Sequence, residues 1–205
     1  MILLFAVFGA IIGLGLTKPI KNISLKIVFE ENLEKEFKLP KILIIIISML
    51  VCIISYLIFG LSAMFFKAEV LNCLLIVISF IDLKHQLIPN YLVFLTLCAG
   101  LLLTSIGEVS IVASLLGMLV GGGLVFILAL VPSSLGGGDI KLMFALGSFL
   151  GPYRVTESLF LAFVFAAIVS SALLLFKIKG RKDYIPLGPF LAIGAFVSFH
   201  ILFLS

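Results

Sequence analysis

Charged residues are scarce in this chain: only 12% of its 205 residues are Asp, Glu, Lys or Arg, whereas 63% are hydrophobic. Together with a mean hydropathy of +1.39, this composition excludes a soluble domain, which needs a far more polar surface. The long apolar run ILIIIISMLVCIISYLIFGL lacks the alternation of a membrane β-strand. The sequence therefore predicts an all-α fold, a polytopic integral membrane helical bundle that forms a single domain over residues 1–205.

Cysteine is also rare, and its placement excludes two kinds of site. The three cysteines, Cys52, Cys73 and Cys98, lie inside apolar runs and form no CxxC motif. They offer neither a disulfide framework nor a zinc site, so we interpret them as small buried hydrophobic side chains.

Charges, prolines and polar clusters divide the chain into about eight apolar segments. They are residues 1–17, 41–66, 70–82, 91–106, 109–131, 140–151, 155–176 and 187–204. The third and sixth are shorter than the ~20 residues that span a bilayer, so we expect polar groups to enter the membrane region there. The first has neither a basic residue before it nor a cleavage motif after it, and we interpret it as a retained helix rather than a signal peptide.

The distribution of basic residues predicts the orientation of this bundle. If the N-terminus lies outside, all of the 14 basic residues except Lys67 and Arg154 fall in loops that face the cytoplasm. The positive-inside rule therefore favours eight crossings with both termini outside, N-out and C-out. The longest polar stretch, residues 18–40, would be a small cytoplasmic loop that contains a short interfacial helix, a hairpin or both. The net charge of +4 then reflects membrane orientation, so we expect membrane lipid around the protein and no nucleic-acid partner.

Acidic residues number only ten, and most of them lie among loop charges or at outer helix ends. Asp82 and Asp139 differ, because each adjoins an apolar segment at the cytoplasmic level of the predicted topology. Asp82 ends the third segment, and Asp139 begins the sixth directly behind three glycines, residues 136–138. Ionisable groups in or beside membrane spans are costly and usually functional, so these two carboxylates are candidate site residues that can face each other.

A pair of facing carboxylates has a specific chemistry. Two such groups a short distance apart do not ionise together easily, so one is held protonated while the other stays charged. The ionised member can take a proton from a water that attacks a peptide carbonyl, and the protonated member can polarise the carbonyl oxygen, as in an aspartic protease. A Ser-His-Asp triad is not favoured, because the two histidines, His85 and His200, lie at opposite membrane faces.

The three glycines before Asp139 have a mechanical interpretation. Residues 136–138 can adopt positive φ and carry no side chain, so an extended substrate backbone could approach Asp139 closely. The helix that begins here presents unpaired N–H groups towards the Asp139 side chain or a developing oxyanion. Alone, GGGD is more often a flexible loop with an ordinary helix cap, and the second aspartate at the same depth favours the site.

Three motifs resemble those of the type IV prepilin peptidase family, the GxGD-type membrane aspartic proteases. Residues 136–141, GGGDIK, match GxGDxK, and Asp82 followed by Ile88-Pro89-Asn90 matches D-x5-IPN. Residues 185–190, IPLGPF, resemble the family's IPFGPF, and the three motifs occur in the family's order between residue 73 and the C-terminus. The resemblance implies that Asp82 and Asp139 are the catalytic pair of an aspartic-type endopeptidase.

The resemblance also implies a substrate class and a location. Members of this family remove leader peptides from prepilins and pseudopilins of type IV pilus, type II secretion and competence systems. They cut at the cytoplasmic face of the bacterial inner membrane, typically after a glycine and before a hydrophobic residue. Proteolysis of this kind implies no cofactor.

The first predicted loop of this sequence differs from that of many family members. Many bacterial members bind zinc through paired CxxC motifs in a larger first loop, and they N-methylate the new pilin terminus with S-adenosylmethionine. Residues 18–40 contain no cysteine. We therefore expect a short form without zinc, and S-adenosylmethionine would be a cofactor only if the methyltransferase activity is retained.

The same motifs supply residues that we expect to bind substrate or shape the site: Gly136, Gly137, Gly138, Lys141, Pro89, Asn90, Gly188 and Pro189. Lys141 could tune the charge of the catalytic pair, contact the substrate, or serve as an ordinary positive-inside anchor. Pro89 and Asn90 would begin the fourth helix with a fixed φ and a capping side chain. Gly188 and Pro189 would break the start of the last helix near the same face. Lys84 and His85, beside the first aspartate, are better explained as loop charges at the headgroup level.

Two other classes of protein fit part of the sequence. A small proton-coupled membrane transporter or channel could use Asp82 and Asp139 to relay protons or bind a cation. Both aspartates fall at one face rather than near the midplane, and no inverted repeat is visible, so the peptidase is favoured. An inactive assembly protein of a secretion system would have lost one aspartate, and neither is missing. The sequence leaves the oligomeric state unknown.

Overall fold

The computed structural model describes residues 1–31, 41–107, 109–131, 135–178, 180 and 185–201. These residues fold into seven α-helices and one short 3-10 helix, and they contain no β-strand. The α-helices are α1 (Ile2–Glu31), α2 (Lys41–Phe59), α3 (Ala63–His85), α4 (Asn90–Leu102), α5 (Ile111–Ala129), α6 (Gly137–Leu175) and α7 (Gly188–Ile201), and the 3-10 helix, Leu103–Ser105, follows α4. The prediction of an all-α fold is confirmed.

Five of these helices are long and apolar enough to cross a membrane. They are α1 over Ile2–Val28, α2, α3, α5 and α6, whereas α4 with its 3-10 extension and α7 are shorter apolar helices. A helix satisfies its backbone hydrogen bonds within one segment, which is the requirement that a lipid environment imposes. The chain is therefore a multi-pass membrane protein with a helical-bundle fold.

Helix α3 lies at the centre of the bundle and carries the first candidate site residue. It packs against α1, α2, α4 and α7, and 67% of its most apolar stretch is buried inside the protein, compared with 22% for α2. Ser62 caps its start, because the Ser62 Oγ accepts a hydrogen bond from the Phe65 N–H at 3.3 Å. Gln86 ends it in the left-handed conformation with a φ of 52°.

Helix α3 begins earlier than hydropathy predicts. The expected break at residues 67–69 lies inside the helix, and the actual break is at Gly60, whose φ is +60°. Lys67 is only 1% exposed and donates to the Ile106 carbonyl oxygen at 2.8 Å, while Glu69 is 8% exposed. The prediction of a short third segment is therefore wrong, because it treats buried charges as helix ends. Helix α3 has 23 residues.

Helix α6 consists of two arms joined at a glycine. Gly151 has a φ of 72° and a ψ of 177°, which are not helical values, and Pro152 follows it. Proline lacks the N–H that would continue the hydrogen-bond ladder. The arms are residues 137–150 and residues 152–175.

The two arms run side by side in opposite directions. A Cβ placed on Gly121 of α5 would lie 2.6 Å from the Met143 carbonyl oxygen and 2.7 Å from the Val155 Cγ2. A straight helix would separate Met143 from Val155 by about 18 Å, so the chain must reverse between them. The predicted segments 140–151 and 155–176 are these two arms.

Helix α1 continues past the predicted start of the first loop. Residues 18–31 are helical, so this part of the stretch follows the helical alternative, and residues 32–40 lie outside the described residues. Ser24 of α1 is 2% exposed, and its Oγ is 2.7 Å from the His85 Nε2 and accepts a hydrogen bond from the Lys84 Nζ. These contacts connect the C-terminal end of α3 to α1.

Candidate active site

The Asp82 carboxylate is buried at the C-terminal end of α3. Asp82 is 4% exposed, and its Oδ2 accepts a hydrogen bond from the Gly188 N–H at 2.9 Å. Gly188 is the first residue of α7, so this carboxylate lies at the positive end of a helix dipole. No side chain fits at Gly188, because a Cβ there would lie 2.6 Å from the Asp82 Oδ2.

The Asp139 carboxylate lies at the start of α6, and Asp139 is also 4% exposed. Its Oδ2 accepts a hydrogen bond from the Gly136 N–H at 3.1 Å, and its own N–H donates to the Gly136 carbonyl oxygen at 3.1 Å. The side chain at the third helical position thus reaches back to the capping residue, as in a capping box. Asp139 is therefore held in place by the first turn of its own helix.

One cavity of about 380 Å³ joins the two carboxylates. It is lined by Asp82, by residues 86–90, and by residues 136–139 together with Lys141. Both aspartates are 4% exposed, so the cavity reaches two buried carboxyl groups. Two acids from different helices, predicted as a pair, therefore lie at one site.

Most of the other residues predicted for the site also lie at this cavity. Pro89, Asn90, Lys141 and the glycines at residues 136–138 line it, and Gly188 does not line it but donates its N–H to the Asp82 Oδ2. Pro189 lies further away and lines a separate apolar groove. Lys84 and His85 do not line the cavity, since both contact Ser24 of α1 instead.

The glycines before Asp139 have one of their two expected properties. Gly136 has a φ of −81°, and neither Gly137 nor Gly138 is among the described glycines with positive φ. A Cβ on Gly137 would meet nothing within 4 Å, whereas a Cβ on Gly138 would lie 3.2 Å from the Ile88 Cβ. The expectation of positive φ is therefore wrong, whereas the expected open space is present at Gly137, and Gly138 packs closely against the Ile-Pro-Asn motif.

The Ile-Pro-Asn motif is joined to the Gly-Asp motif by a polar contact. The Lys141 Nζ donates to the Asn90 Oδ1 at 3.0 Å. Helix α4 begins at Asn90 with Pro89 as its capping residue, and no side chain caps it. The predicted capping role of Asn90 is therefore wrong, because its side-chain oxygen accepts a hydrogen bond from α6 instead.

Gln86 is a site residue that the sequence analysis does not identify. It lines the cavity between the two aspartates, and its N–H donates to the Asp82 carbonyl oxygen at 2.8 Å. Its φ of 52° is unusual for a residue other than glycine. The only sequence signal is its position just after the basic end of an apolar segment.

A second cluster of buried polar side chains lies away from this cavity and is also not predicted. The Asn72 Nδ2 donates to the Ser55 Oγ at 3.0 Å and to the Glu69 Oε1 at 3.3 Å, and the His200 Nε2 is 2.9 Å from the Ser55 Oγ. Asn72 and His200 are 2% and 1% exposed. Glu69, which the sequence analysis groups with the acidic residues of loops and outer helix ends, is therefore buried inside the bundle.

The described residues contain no cluster of metal-binding side chains. No three His, Cys, Asp or Glu side chains in that part of the chain lie together in a way that could hold a metal ion. The expectation about zinc stays a prediction.

The chain is similar to known leader peptidases. Residues 69–171 match the model of the type IV leader peptidase family. A prepilin leader peptidase/N-methyltransferase of Xanthomonas campestris pv. campestris is 31% identical over 165 residues, which cover 77% of this chain and 57% of the relative. The Bacillus subtilis protein of the same name is 32% identical over 144 residues, covering 69% of this chain and 58% of the relative.

A third relative has the same name as the other two. A prepilin leader peptidase/N-methyltransferase of Aeromonas salmonicida is 31% identical over 138 residues, covering 64% of this chain and 47% of the relative. The chain therefore spans about half the length of the curated relatives it matches. No solved structure matches the chain.

Proposed function

The chain belongs to the type IV leader peptidase family, and on this premise we propose that it is a membrane aspartic endopeptidase. Its substrates are precursors similar to type IV prepilins and pseudopilins, from which it removes the leader peptide. The observation that carries this proposal is the single cavity lined by the buried carboxylates of Asp82 and Asp139. The relatives named for prepilin leader peptidase activity support the same substrate class.

In the proposed reaction the two aspartates share one proton. The ionised carboxylate takes a proton from water as the water oxygen attacks the scissile carbonyl, and the protonated one donates a hydrogen bond to the carbonyl oxygen. When the tetrahedral intermediate collapses, the carboxyl group that received the proton passes it to the departing amine. The C–N bond breaks, and the pair returns to its starting state with one proton.

The helix ends beside the two acids support this role. The Gly188 N–H at the start of α7 and the Gly136 N–H just before α6 each hold the Oδ2 of one aspartate. Such donors fix the orientation of both carboxylates before substrate binds, so little reorganisation is needed during the reaction. The position of the acids at helix ends disfavours the proton-coupled transporter, which would place them near the membrane midplane.

We also propose the orientation that the basic residues predict, with eight crossings, both termini outside and the carboxylate pair at the cytoplasmic face of a bacterial inner membrane. Leader peptides of precursors not yet exported would meet the site on that side. Proteolysis requires no cofactor in this proposal, and zinc has no part in it. N-methylation with S-adenosylmethionine is a separate activity, which the names of the relatives include.

Co-expression with a pilin-like precursor tests the proposed function. The wild-type chain should remove the leader, whereas Asp82→Asn and Asp139→Asn should each lower the rate by about 10³-fold or more, because either change removes half of the pair. Leader removal is read from the mobility of the product and from its N-terminal sequence. Glu157→Gln, which removes a carboxylate outside the cavity, is the matched control and should cleave normally. Wild-type cleavage by either Asn variant would refute the paired-carboxylate mechanism.

A further inference from the structure

A groove of about 290 Å³ lies beside the candidate active site and is formed by three helices. Its floor is a stripe of α3 at helical spacing that extends from Asn72 to Leu83, and α2 and α7 form its walls. Apart from Asn72 and Ser79, the lining side chains are apolar. The stripe is about 16 Å long, roughly half of the hydrocarbon core of a bilayer.

The groove begins at the Asp82 end of the candidate site. Leu83 follows Asp82 in the chain, and Pro189 follows Gly188, whose N–H donates to the Asp82 Oδ2 at 2.9 Å. The hydrogen-bonded pair of Asp82 and Gly188 thus lies between the carboxylate cavity and the groove. From there the groove extends along α3 into the apolar part of the bundle.

One unpaired polar atom marks the far end of the groove. Asn72 is 2% exposed, and its Nδ2 donates hydrogen bonds to the Ser55 Oγ and the Glu69 Oε1. Its Oδ1 is buried and has no hydrogen-bond partner among the described residues. The other polar group of the groove, the Ser79 hydroxyl, already donates to the Leu75 carbonyl oxygen at 2.7 Å. A buried acceptor without a donor is costly, so an occupant that supplies a donor would recover that cost.

We propose that this groove binds the apolar segment that follows the cleavage site of the substrate, held as an α-helix within the membrane. This proposal rests on the proposed peptidase function. An apolar segment in lipid must satisfy its own backbone hydrogen bonds, so it enters as a helix. A hydroxyl or amide in its first three turns then reaches the Asn72 Oδ1. A lipid acyl chain would fill the same volume but offers no hydrogen bond to Asn72.

Photo-crosslinking tests the occupant directly. The probe is a synthetic precursor with a Lys-rich leader, a Gly-Phe junction and a Leu/Ala helix that carries one serine. Benzoylphenylalanine is placed at Ile193, on the groove wall and 44% exposed, or at Ile168, on α6 outside the groove and 60% exposed. The Asp139→Asn background prevents cleavage. The proposal predicts adducts with the apolar helix from position 193 and not from position 168. Equal yields at both positions, or lipid adducts alone at position 193, would overturn it.

Kinetics with two substrates separate this proposal from the proposed function. Ile193→Trp fills the groove and should raise the KM for the helix-bearing probe about tenfold. It should leave unchanged the cleavage of a short peptide that has the same leader and junction but no apolar helix. Ile168→Trp should change neither. A wild-type chain that cuts neither substrate contradicts the peptidase function, whereas equal effects of Ile193→Trp on both substrates contradict the groove.

Discussion

At the scale of single residues, the candidate site depends on places where a side chain is missing. Gly188 brings a backbone N–H to within 2.9 Å of the Asp82 Oδ2, and Gly138 packs against Ile88. A methyl group at either position would push apart elements that must lie close together. The two carboxylates are therefore positioned by their neighbouring glycines as much as by their own helices.

We predict that Gly188→Ala lowers the rate of cleavage. The new Cβ would lie 2.6 Å from the Asp82 Oδ2, so the carboxylate must move, and a misplacement of about 1 Å lowers the rate about 100-fold. The measurement is kcat/KM for a synthetic precursor. Gly123→Ala is the matched control, because a Cβ there meets nothing within 4 Å, and it should retain the wild-type rate. A Gly188→Ala enzyme with full activity would show that this contact does not position Asp82.

Sequence reasoning finds residues whose type and spacing are unusual in a membrane segment. Asp82 and Asp139 are carboxylates beside apolar runs, and the physical cost of such groups reveals them. Gln86 is invisible to the same reasoning, because its left-handed backbone is set by the turn that ends α3 and not by its side chain. Asn72 is missed for another reason, since one amide within an apolar run looks like an ordinary helix residue.

At the scale of elements, the reversal inside α6 positions the second carboxylate. The first arm starts at the cavity, and the second arm returns beside it and packs against α7, where the Ser198 Oγ donates to the Arg154 carbonyl oxygen at 2.8 Å. Helix α7 in turn begins at Gly188, next to Asp82. A substitution at the reversal would therefore affect the positions of both carboxylates through the packing of the two arms.

We predict that Gly151→Ala destabilises the protein. A φ of 72° with a ψ of 177° is a conformation that is essentially restricted to glycine, so alanine should lower the free energy of unfolding by about 1–3 kcal/mol. The midpoint of thermal unfolding in detergent should fall by several degrees. Gly15→Ala is the control, because a Cβ there meets nothing within 4 Å. Equal midpoints for the two variants would mean that the reversal tolerates a side chain.

The boundaries of elements are predictable only where the chain signals them with backbone chemistry. Gly151 and Pro152 separate the two arms of α6 in the sequence as they do in the structure. The boundary between α2 and α3 is misplaced, because Lys67 resembles a loop charge although it is buried and paired with a carbonyl oxygen. The actual signal there is Gly60 followed by the capping Ser62, which hydropathy does not weigh.

At the scale of the whole molecule, the two carboxylates lie where α3 ends and where α6 and α7 begin. Two of the three elements thus present their N-terminal ends to the carboxylates, which favours negative charge there. The cavity is lined by polar as well as apolar residues, whereas the adjoining groove along α3 is mainly apolar. The arrangement suits a substrate that is polar on one side of the cleavage site and apolar on the other.

Cysteine labelling tests the proposed orientation. In a variant with the three native cysteines replaced by alanine, Ser105→Cys should react with a membrane-impermeant maleimide added to intact cells, and Lys177→Cys should not. Both side chains are exposed, so permeabilised cells, the control, should label both. If Lys177→Cys alone were labelled in intact cells, the topology would be the inverse of the proposed one, with the carboxylate pair outside.

The shared carboxylate pair is tested most directly by measuring whether Asp82 and Asp139 act as one unit. The measurement is kcat/KM of the purified enzyme for a synthetic precursor, with Asp82→Asn, Asp139→Asn and the double variant compared in one series. Residues that act together are strongly non-additive, so each single change should cost about 10³-fold or more and the double variant should lose no more than about tenfold beyond that. Losses that multiply in the double variant, or one single variant with wild-type activity, would contradict the shared carboxylate pair.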